Sequence, residues 1–258
     1  MNKTVLITGA SSGIGLEISK IFARNNYNLV LVSQNEENLK KTINIIRKEN
    51  TEITIYAIAK DLSKTSAPHE ILEYTLKNSI QIDILVNNAG IQVYGNFHDT
   101  KIEDILNLMN INMFAMTKLT RLFVDGMIKR GHGKILNLAS TGAFQPCPLN
   151  AVYCASKAFV LHMSEAIGEE LKGTGVTITT LCPGATRTNF AKRANIENIK
   201  LFRGKLLEPS KVAEIGYKAL MKGKSVVITG IVNELIAQSV RFIPRSMVIK
   251  IGMNVMRE

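Results

Sequence analysis

Val5-Leu6-Ile7, followed by Thr8-Gly9-Ala10-Ser11-Ser12-Gly13-Ile14-Gly15, is the stretch that decides the architecture. The apolar run over residues 4–7 has the unbroken hydrophobic character of a strand buried on both faces, the habit of parallel sheets. From Ile14 the apolar residues recur at helical spacing, as Ile14, Ile18, Ile21 and Phe22. Between strand and helix lies a turn with glycines at 9, 13 and 15. Lacking a Cβ, these positions permit a sharp reversal and a close ligand approach, and the helix that follows offers free N–H groups and a positive dipole end to a pyrophosphate. Ser11 and Ser12 add hydroxyl donors. The glycines are separated by three residues and then one, unlike the common dinucleotide fingerprint of one and then two, so the turn by itself leaves open a glycine-rich bend without a ligand.

Outward from this turn, strand-like runs at residues 5–7, 28–32, 53–58, 82–87, 134–139, 177–181 and 225–229 alternate with helical patterns. That alternation predicts an α/β fold, a doubly wound parallel sheet of about seven strands with helices on both faces. No linker, repeat or low-complexity segment divides the 258 residues, and a 46% hydrophobic composition suffices for one large core, so residues 1–258 are expected to form one domain.

The second informative feature is Tyr153, four residues before Lys157 and thirteen after Ser140. The pattern from residue 153 to about 172 is helical, which places Tyr153 and Lys157 on one face, one turn apart. A phenol titrates near pH ~10, and a nearby ammonium favours the phenolate, so Tyr153 becomes a usable general acid or base. In an arbitrary helix such a pair is usually incidental. Here Ser140 ends a strand-like run, and the carboxyl ends of strands are where open α/β sheets hold their ligands.

With these residues in place the chain resembles the classical short-chain dehydrogenase/reductase family. The resemblance is carried by TGASSGIG at 8–15, Asp61 after the third strand, NNAG at 87–90, Asn112, Ser140, YCASK at 153–157, and Pro183 and Gly184 followed by Thr188, in the family's order over most of the chain. It implies a Rossmann-type oxidoreductase with a catalytic tetrad: Tyr153 as proton donor or acceptor, Lys157 lowering its pKa and gripping the nicotinamide ribose, Ser140 polarising the substrate oxygen, and Asn112 holding a water for proton relay. It also implies cofactor contacts from Gly9, Ser11, Ser12, Gly13, Ile14 and Gly15 at the turn, from Asp61 and Leu62, from Asn88, Ala89 and Gly90, from Tyr153 and Lys157, and from Pro183, Gly184, Thr186 and Thr188. Asn87 is implied to tie the sheet. Asp61 reads equally as a plain helix cap before Ser63, and Thr188 as the start of a loop.

Cofactor preference turns on the end of the second strand, where an acid selects NAD(H) and a basic residue accommodates a 2′-phosphate. The chain has Ser33, Gln34 and Asn35 there, neither acid nor arginine, with Lys40 and Lys41 nearby. The missing acid removes the main repulsion, so NADP(H) is the expected cofactor, with NAD(H) as the alternative. No metal is expected: Cys147, Cys154 and Cys182 have no metal-ligand spacing, and an odd number of cysteines without a secretion signal predicts reduced thiols in a cytoplasmic protein.

Net charge is +11, and residues 192–258 hold thirteen Lys or Arg against five Glu. No nucleic-acid motif or aromatic interleaving accompanies this excess, so no nucleic-acid partner is expected. The basic, apolar segment 231–258 is too interrupted to span a bilayer. Packing in a homodimer or homotetramer, or over the substrate pocket, is favoured over contact with a membrane surface. By resemblance, the loop at about 188–206 and the stretch between Ser140 and Tyr153 line the substrate cleft, where Phe144, Pro146, Leu149, Phe190, Leu201, Phe202 and Leu206 imply a lipophilic ketone, aldehyde or secondary alcohol. The chain looks most like bacterial-type reductases distantly related to hydroxysteroid and 3-oxoacyl reductases. A non-catalytic nucleotide-binding regulator is the competing class.

Overall fold

The computed structural model describes residues 2–194, 196–204 and 206–257. Asn195 and Lys205 of the 188–206 loop, and Glu258 of the C-terminal segment, lie outside the described residues. The strands are β1 (Thr4–Thr8), β2 (Asn28–Ser33), β3 (Ile55–Ala59), β4 (Ile84–Asn87), β5 (Gly133–Leu138), β6 (Val176–Cys182) and β7 (Val226–Ile228). They form one sheet in the order β3-β2-β1-β4-β5-β6-β7, and every pairing is parallel. The expected doubly wound sheet is therefore what forms. β3 begins two residues inside its apolar run because Asn28 takes over the first pairing: its Oδ1 accepts the Thr54 N–H at 2.9 Å, while Ile53 still packs in the core.

The helices are α1 (Gly13–Arg24), α2 (Glu36–Arg47), α3 (Ala67–Lys77), α4 (Ile102–Met109), α5 (Met116–Lys129), α6 (Ala151–Glu170), α7 (Asn189–Arg193), α8 (Lys200–Arg203), α9 (Pro209–Met221), α10 (Ile231–Ser239) and α11 (Arg245–Met256). Successive strand residues part to opposite faces, as the two-residue period of a strand requires. Val5, Ile7, Leu29 and Leu31 pack with Ile18 and Phe22 of α1, Leu39 and Ile46 of α2, and Val212 and Leu220 of α9. Leu6, Val30 and Val32 pack on the other side with Ile71 of α3 and Leu119 and Phe123 of α5. Both faces of β1 are thus covered, which is why its sequence offers no polar outward position. Phe22 locks α1 in place edge-on between Tyr27 and Tyr217, with ring centroids 5.1 and 5.2 Å away.

β1 lies between β2 and β4, so the chain winds away in opposite directions on its two sides, and a crevice opens above the carboxyl ends of β1 and β4. Asn87 closes β4: its Nδ2 donates to Asn137 Oδ1 of β5 at 2.9 Å and to Thr120 Oγ1 of α5 at 3.1 Å. Asn137 in turn donates to Ser164 Oγ of α6 at 2.9 Å. A polar tie across four elements fixes the strand ends from which the site rises.

Candidate active site

The glycine turn is shaped by close approach. Gly9 and Gly13 adopt left-handed φ values of 62° and 56°. A Cβ on Gly15 would stand 2.3 Å from the Gly9 carbonyl oxygen and 2.4 Å from Asn88 Nδ2. Asn88 fills that space, donating to the carbonyls of Thr8 and Gly9 at 2.9 and 3.0 Å, while Thr8 Oγ1 accepts the N–H groups of Asn88 and Ala89, both at 3.0 Å. The turn after β1 and the turn after β4 therefore clamp each other. Ser11 Oγ lies 2.8 Å from Ser33 Oγ and ties the same turn to the end of β2.

Above these turns a cavity of about 580 Å³ is lined by Gly9, Ser11, Ser12, Gly13, Ile14, Ser33, Asn88, Ala89, Gly90, Ser140, Tyr153, Lys157, Pro183, Gly184, Thr186 and Thr188. Six expected residues stand off its wall. Gly15 lies beneath the turn, and Gln34 is exposed at the strand end. Asn35 caps α2 by accepting the Asn38 N–H at 2.8 Å, and Asp61 accepts the Ser63 N–H at 3.0 Å within a turn that precedes α3, whose N-cap is Ser66. Leu62 is buried in the core with Ile71, and Asn112 sits behind Gly90.

Asn112 owes its position to a π-helical turn, Asn110–Ala115, that joins α4 to α5 without a break. Its Oδ1 accepts the Ile91 N–H at 2.9 Å, and its Nδ2 donates to the Ile91 carbonyl at 2.9 Å and to Ser156 Oγ at 3.2 Å. The side chain is a clip on the loop after β4. Gly90 makes room for it: a Cβ there would be 3.3 Å from Asn112 Oδ1 and 3.5 Å from Lys157 Nζ.

Ser140 ends β5 and accepts the Gly142 N–H at 3.1 Å, which holds its hydroxyl toward the cavity. Tyr153 packs its ring against Phe190, with centroids 5.9 Å apart, and shares the cavity wall with Ser140. Lys157 Nζ donates to the Leu138 carbonyl at 2.8 Å and lies 5.7 Å from the Tyr153 ring centroid. Burial, reinforced by the Cys154 thiol, holds the phenol well above its usual range, with the Ser140 hydroxyl as the opposing influence, while the Lys157 ammonium donates to Leu138. Burial in turn pushes Lys157 down to about 8.

This shift has a measurable consequence. Between pH 8 and the usual 10.5 the folded chain has released the Lys157 proton and the unfolded chain has not, so this group contributes stability that grows as pH rises through that window. Its contribution is of order 3 kcal/mol at most. The buried Cys154 and Cys182 thiols, raised above their usual 9, act the other way at the upper end of the window. Denaturant melts at stepped pH should therefore show the parent gaining on Lys157→Met between pH 8 and 10.5; equal slopes in both proteins would refute the burial of this charge.

The apolar wall differs from expectation. Phe190, Leu201 and Phe202 line the cavity, but Phe144 and Leu149 pack into neighbouring clusters, and Pro146 and Leu206 are off the wall. Their place is taken by Ile236, Val240 and Ile243, and by Val248, Ile251 and Val255 of α11. α11 is firmly seated: the Tyr94 hydroxyl donates to the Met256 carbonyl at 2.6 Å, and Gly252 lies against the Pro146 carbonyl. The 188–206 loop is pinched at its base, where Arg187 and Leu207 bond to Leu207 and Ala185 carbonyls at 2.8 and 3.0 Å. Asn150 was not anticipated; it is buried on the cavity wall with Oδ1 unpartnered, and its only sequence signal is its place before α6. Cys147, Cys154 and Cys182 are buried free thiols, the first two on the wall.

Residues 3–198 match the short chain dehydrogenase family. The chain belongs to that family. As a short-chain dehydrogenase it is an NAD(P)-dependent oxidoreductase. It is 34% identical over 227 residues to the ketoacyl reductase HetN of Nostoc sp., spanning 88% of this chain and 78% of that protein. Over 261 residues it is 31% identical to the very-long-chain 3-oxoacyl-CoA reductase of Mus musculus, spanning 98% and 80%. The solved short-chain dehydrogenase from Sphingobium yanoikuyae in complex with NADPH superposes with a TM-score of 0.81 at 30% identity, covering 93% of each chain.

Proposed function

We propose that this short-chain dehydrogenase reduces lipophilic ketones, 3-oxoacyl thioesters foremost, with NADP(H) as the preferred nucleotide. The observation that carries the reading is one continuous cavity that joins the glycine turn to the Ser140–Tyr153 pair and ends in an aliphatic wall from α10 and α11. The nucleotide fits this chain: the turn leaves no space for a Cβ at Gly15, keeps φ positive at Gly9 and Gly13, and opens onto the start of α1, the arrangement that suits a pyrophosphate. Gly9, Ser11, Ser12, Gly13 and Ile14 would hold the phosphates, Asn88, Ala89 and Gly90 the adenosine side, and Tyr153, Lys157, Pro183, Gly184, Thr186 and Thr188 the nicotinamide half. When bound there, the nicotinamide supplies the hydride.

The chain's own groups supply the rest. The hydroxyls of Ser140 and Tyr153 line the cavity together beside the aliphatic wall, so a carbonyl oxygen set between them meets two donors where negative charge develops. Because its pKa is raised, Tyr153 stands protonated at neutral pH, the form that reduction needs, and delivers that proton to the developing alkoxide. The Lys157 ammonium stabilises the resulting phenolate. Asn112 holds the loop against which these groups are set.

The names of the Nostoc and mouse relatives support the 3-oxoacyl reading. Its test is turnover of 3-oxoacyl thioesters of rising chain length, bulky ketones and small polar aldehydes with NADPH and NADH. Rates that climb with chain length support it. Activity confined to small polar aldehydes defeats it, and tight nucleotide binding with no turnover turns the reading to a regulator.

For the nucleotide preference, the structure narrows the donors. Asn35 Oδ1 is committed to capping α2, and Lys40 pairs with Glu36 at 2.9 Å. The Ser11 and Ser33 hydroxyls, exposed Gln34, the Asn35 amide N–H groups and exposed Lys41 remain for a 2′-phosphate. Gln34→Asp places a carboxylate beside it, and the NADPH-over-NADH ratio of kcat/KM is expected to fall at least about tenfold, the scale of a close like-charge contact in water. A parent enzyme that already favours NADH would overturn the preference.

A further inference from the structure

The C-terminal helices have two apolar faces, and only one is accounted for by the cavity. Inward, Ile236, Val240, Ile243, Val248 and Ile251 line it. Outward, Ile231 is 78% exposed, Val232 68%, Leu235 66% and Phe242 87%. Phe242 stands on the connection between α10 and α11, with Arg241 just before it and Arg245 three residues after it in the chain. Lys250 and Arg257 extend the basic rim, and all four cations are exposed. Among the described residues none of the four forms an ion pair, and Glu234 and Glu258 are the two acids in residues 231–258.

We propose that this outer face docks the enzyme on the surface of a bilayer containing anionic phospholipids, with Phe242, Leu235, Ile231 and Val232 entering the acyl boundary and Arg241 and Arg245 meeting the phosphates. Charge selects this occupant. A second copy of the chain laid on the same face brings Arg241, Arg245, Lys250 and Arg257 against their equivalents, with only Glu234 and Glu258 as acids of each segment to offset them, whereas anionic headgroups over hydrocarbon complement both features at once. None of the described helices is long and apolar enough to cross a membrane, so the contact lies in the interface plane. The geometry also gives the contact a purpose, which rests on the lipophilic substrate proposed above. Ile236 and Ile251 are each about half exposed and also line the cavity, so its aliphatic mouth opens within the docking face, where a membrane-dissolved ketone enters without crossing water.

The test is co-sedimentation of the full chain with vesicles of phosphatidylcholine alone and with vesicles in which about a third is phosphatidylglycerol, at low and high salt, beside light scattering of the protein alone. The parent is expected to sediment with the anionic vesicles only, and less at high salt. Arg241→Gln with Arg245→Gln should weaken partition about thirtyfold, and Phe242→Ser with Leu235→Ser at least about tenfold. None of these four lines the cavity, so turnover of a short soluble ketone should be unchanged, which also shows that the variants fold. Failure of the parent to sediment at low salt overturns the proposal. So does a parent oligomer that Phe242→Ser dissociates while vesicle binding is unaltered, which assigns the face to a second copy. Sedimentation needs no turnover, so an enzyme inactive on every ketone but bound to anionic vesicles refutes the substrate reading and leaves the docking face standing.

Discussion

Tyr153→Phe is expected to lower turnover of the best ketone substrate at least about a hundredfold while nucleotide affinity stays within about twofold, the signature of a lost general acid. The substitution is a clean one in this fold. The ring that packs on Phe190 is kept, and the lost atom is the hydroxyl oxygen proposed to deliver the proton. Single-turnover rates with saturating nucleotide separate this from a binding defect. Turnover close to the parent's, at equal nucleotide affinity, would remove Tyr153 from the chemistry and leave Ser140 and the buried Lys157 without a role in proton transfer.

Gly15→Ala should be nearly as damaging by a different route. Its methyl would stand 2.3 Å from the Gly9 carbonyl oxygen and 2.4 Å from Asn88 Nδ2, neither of which can retreat, because each is tied into the paired turns. Overpacking of this kind costs about 1–3 kcal/mol in stability, and the displaced turn should weaken nucleotide binding at least about tenfold. Gly168→Ala is the control. It lies in α6 with nothing within 4 Å of the added methyl, and there the same change should stabilise by about 0.5–1 kcal/mol, since alanine loses less freedom than glycine in a helix. Thermal melts and nucleotide titrations of both variants decide the matter. Equal, small effects at the two positions would mean that the turn tolerates what its geometry says it cannot.

Much of the architecture was legible because parallel strands buried on both faces must be apolar throughout. β1 and β2 stand out as runs of Val, Leu and Ile for that reason, and the glycine turn between β1 and α1 is short enough for its spacing to be read directly. Ser140, Tyr153 and Lys157 were legible as a group because one strand end and one helix turn carry them. What escaped is what depends on the third dimension. Asn112 is presented by a π-helical turn that has no distinct residue pattern, and its engagement with Ile91 joins positions 21 apart. Lys157 turns to the Leu138 carbonyl rather than working on Tyr153 alone, a choice made by backbone placement in β5. α10 and α11 gave only a mixed apolar and basic signal, since a helix with a cavity on one side and an exposed apolar face on the other has no single hydrophobic stripe to detect. Pro244, at the start of α11, divides them.

The position of those two helices at the end of the chain has an evolutionary corollary. Every cavity residue proposed to handle nucleotide or proton lies at or before Thr188, and the aliphatic wall from Ile236 onward follows the last strand. Gly230, with φ at 90°, marks the joint, and Asn233 braces it by donating to the Thr229 carbonyl at 2.7 Å while resting against Gly184. The α10–α11 part of the aliphatic wall is thus carried in a terminal cassette downstream of the residues proposed for hydride transfer, while Phe190, Leu201 and Phe202 stay upstream of it. A crossover at codon 230 between two such genes would exchange that part of the wall in a single recombination event, with the tyrosine, the lysine and the glycine turn inherited intact from one parent.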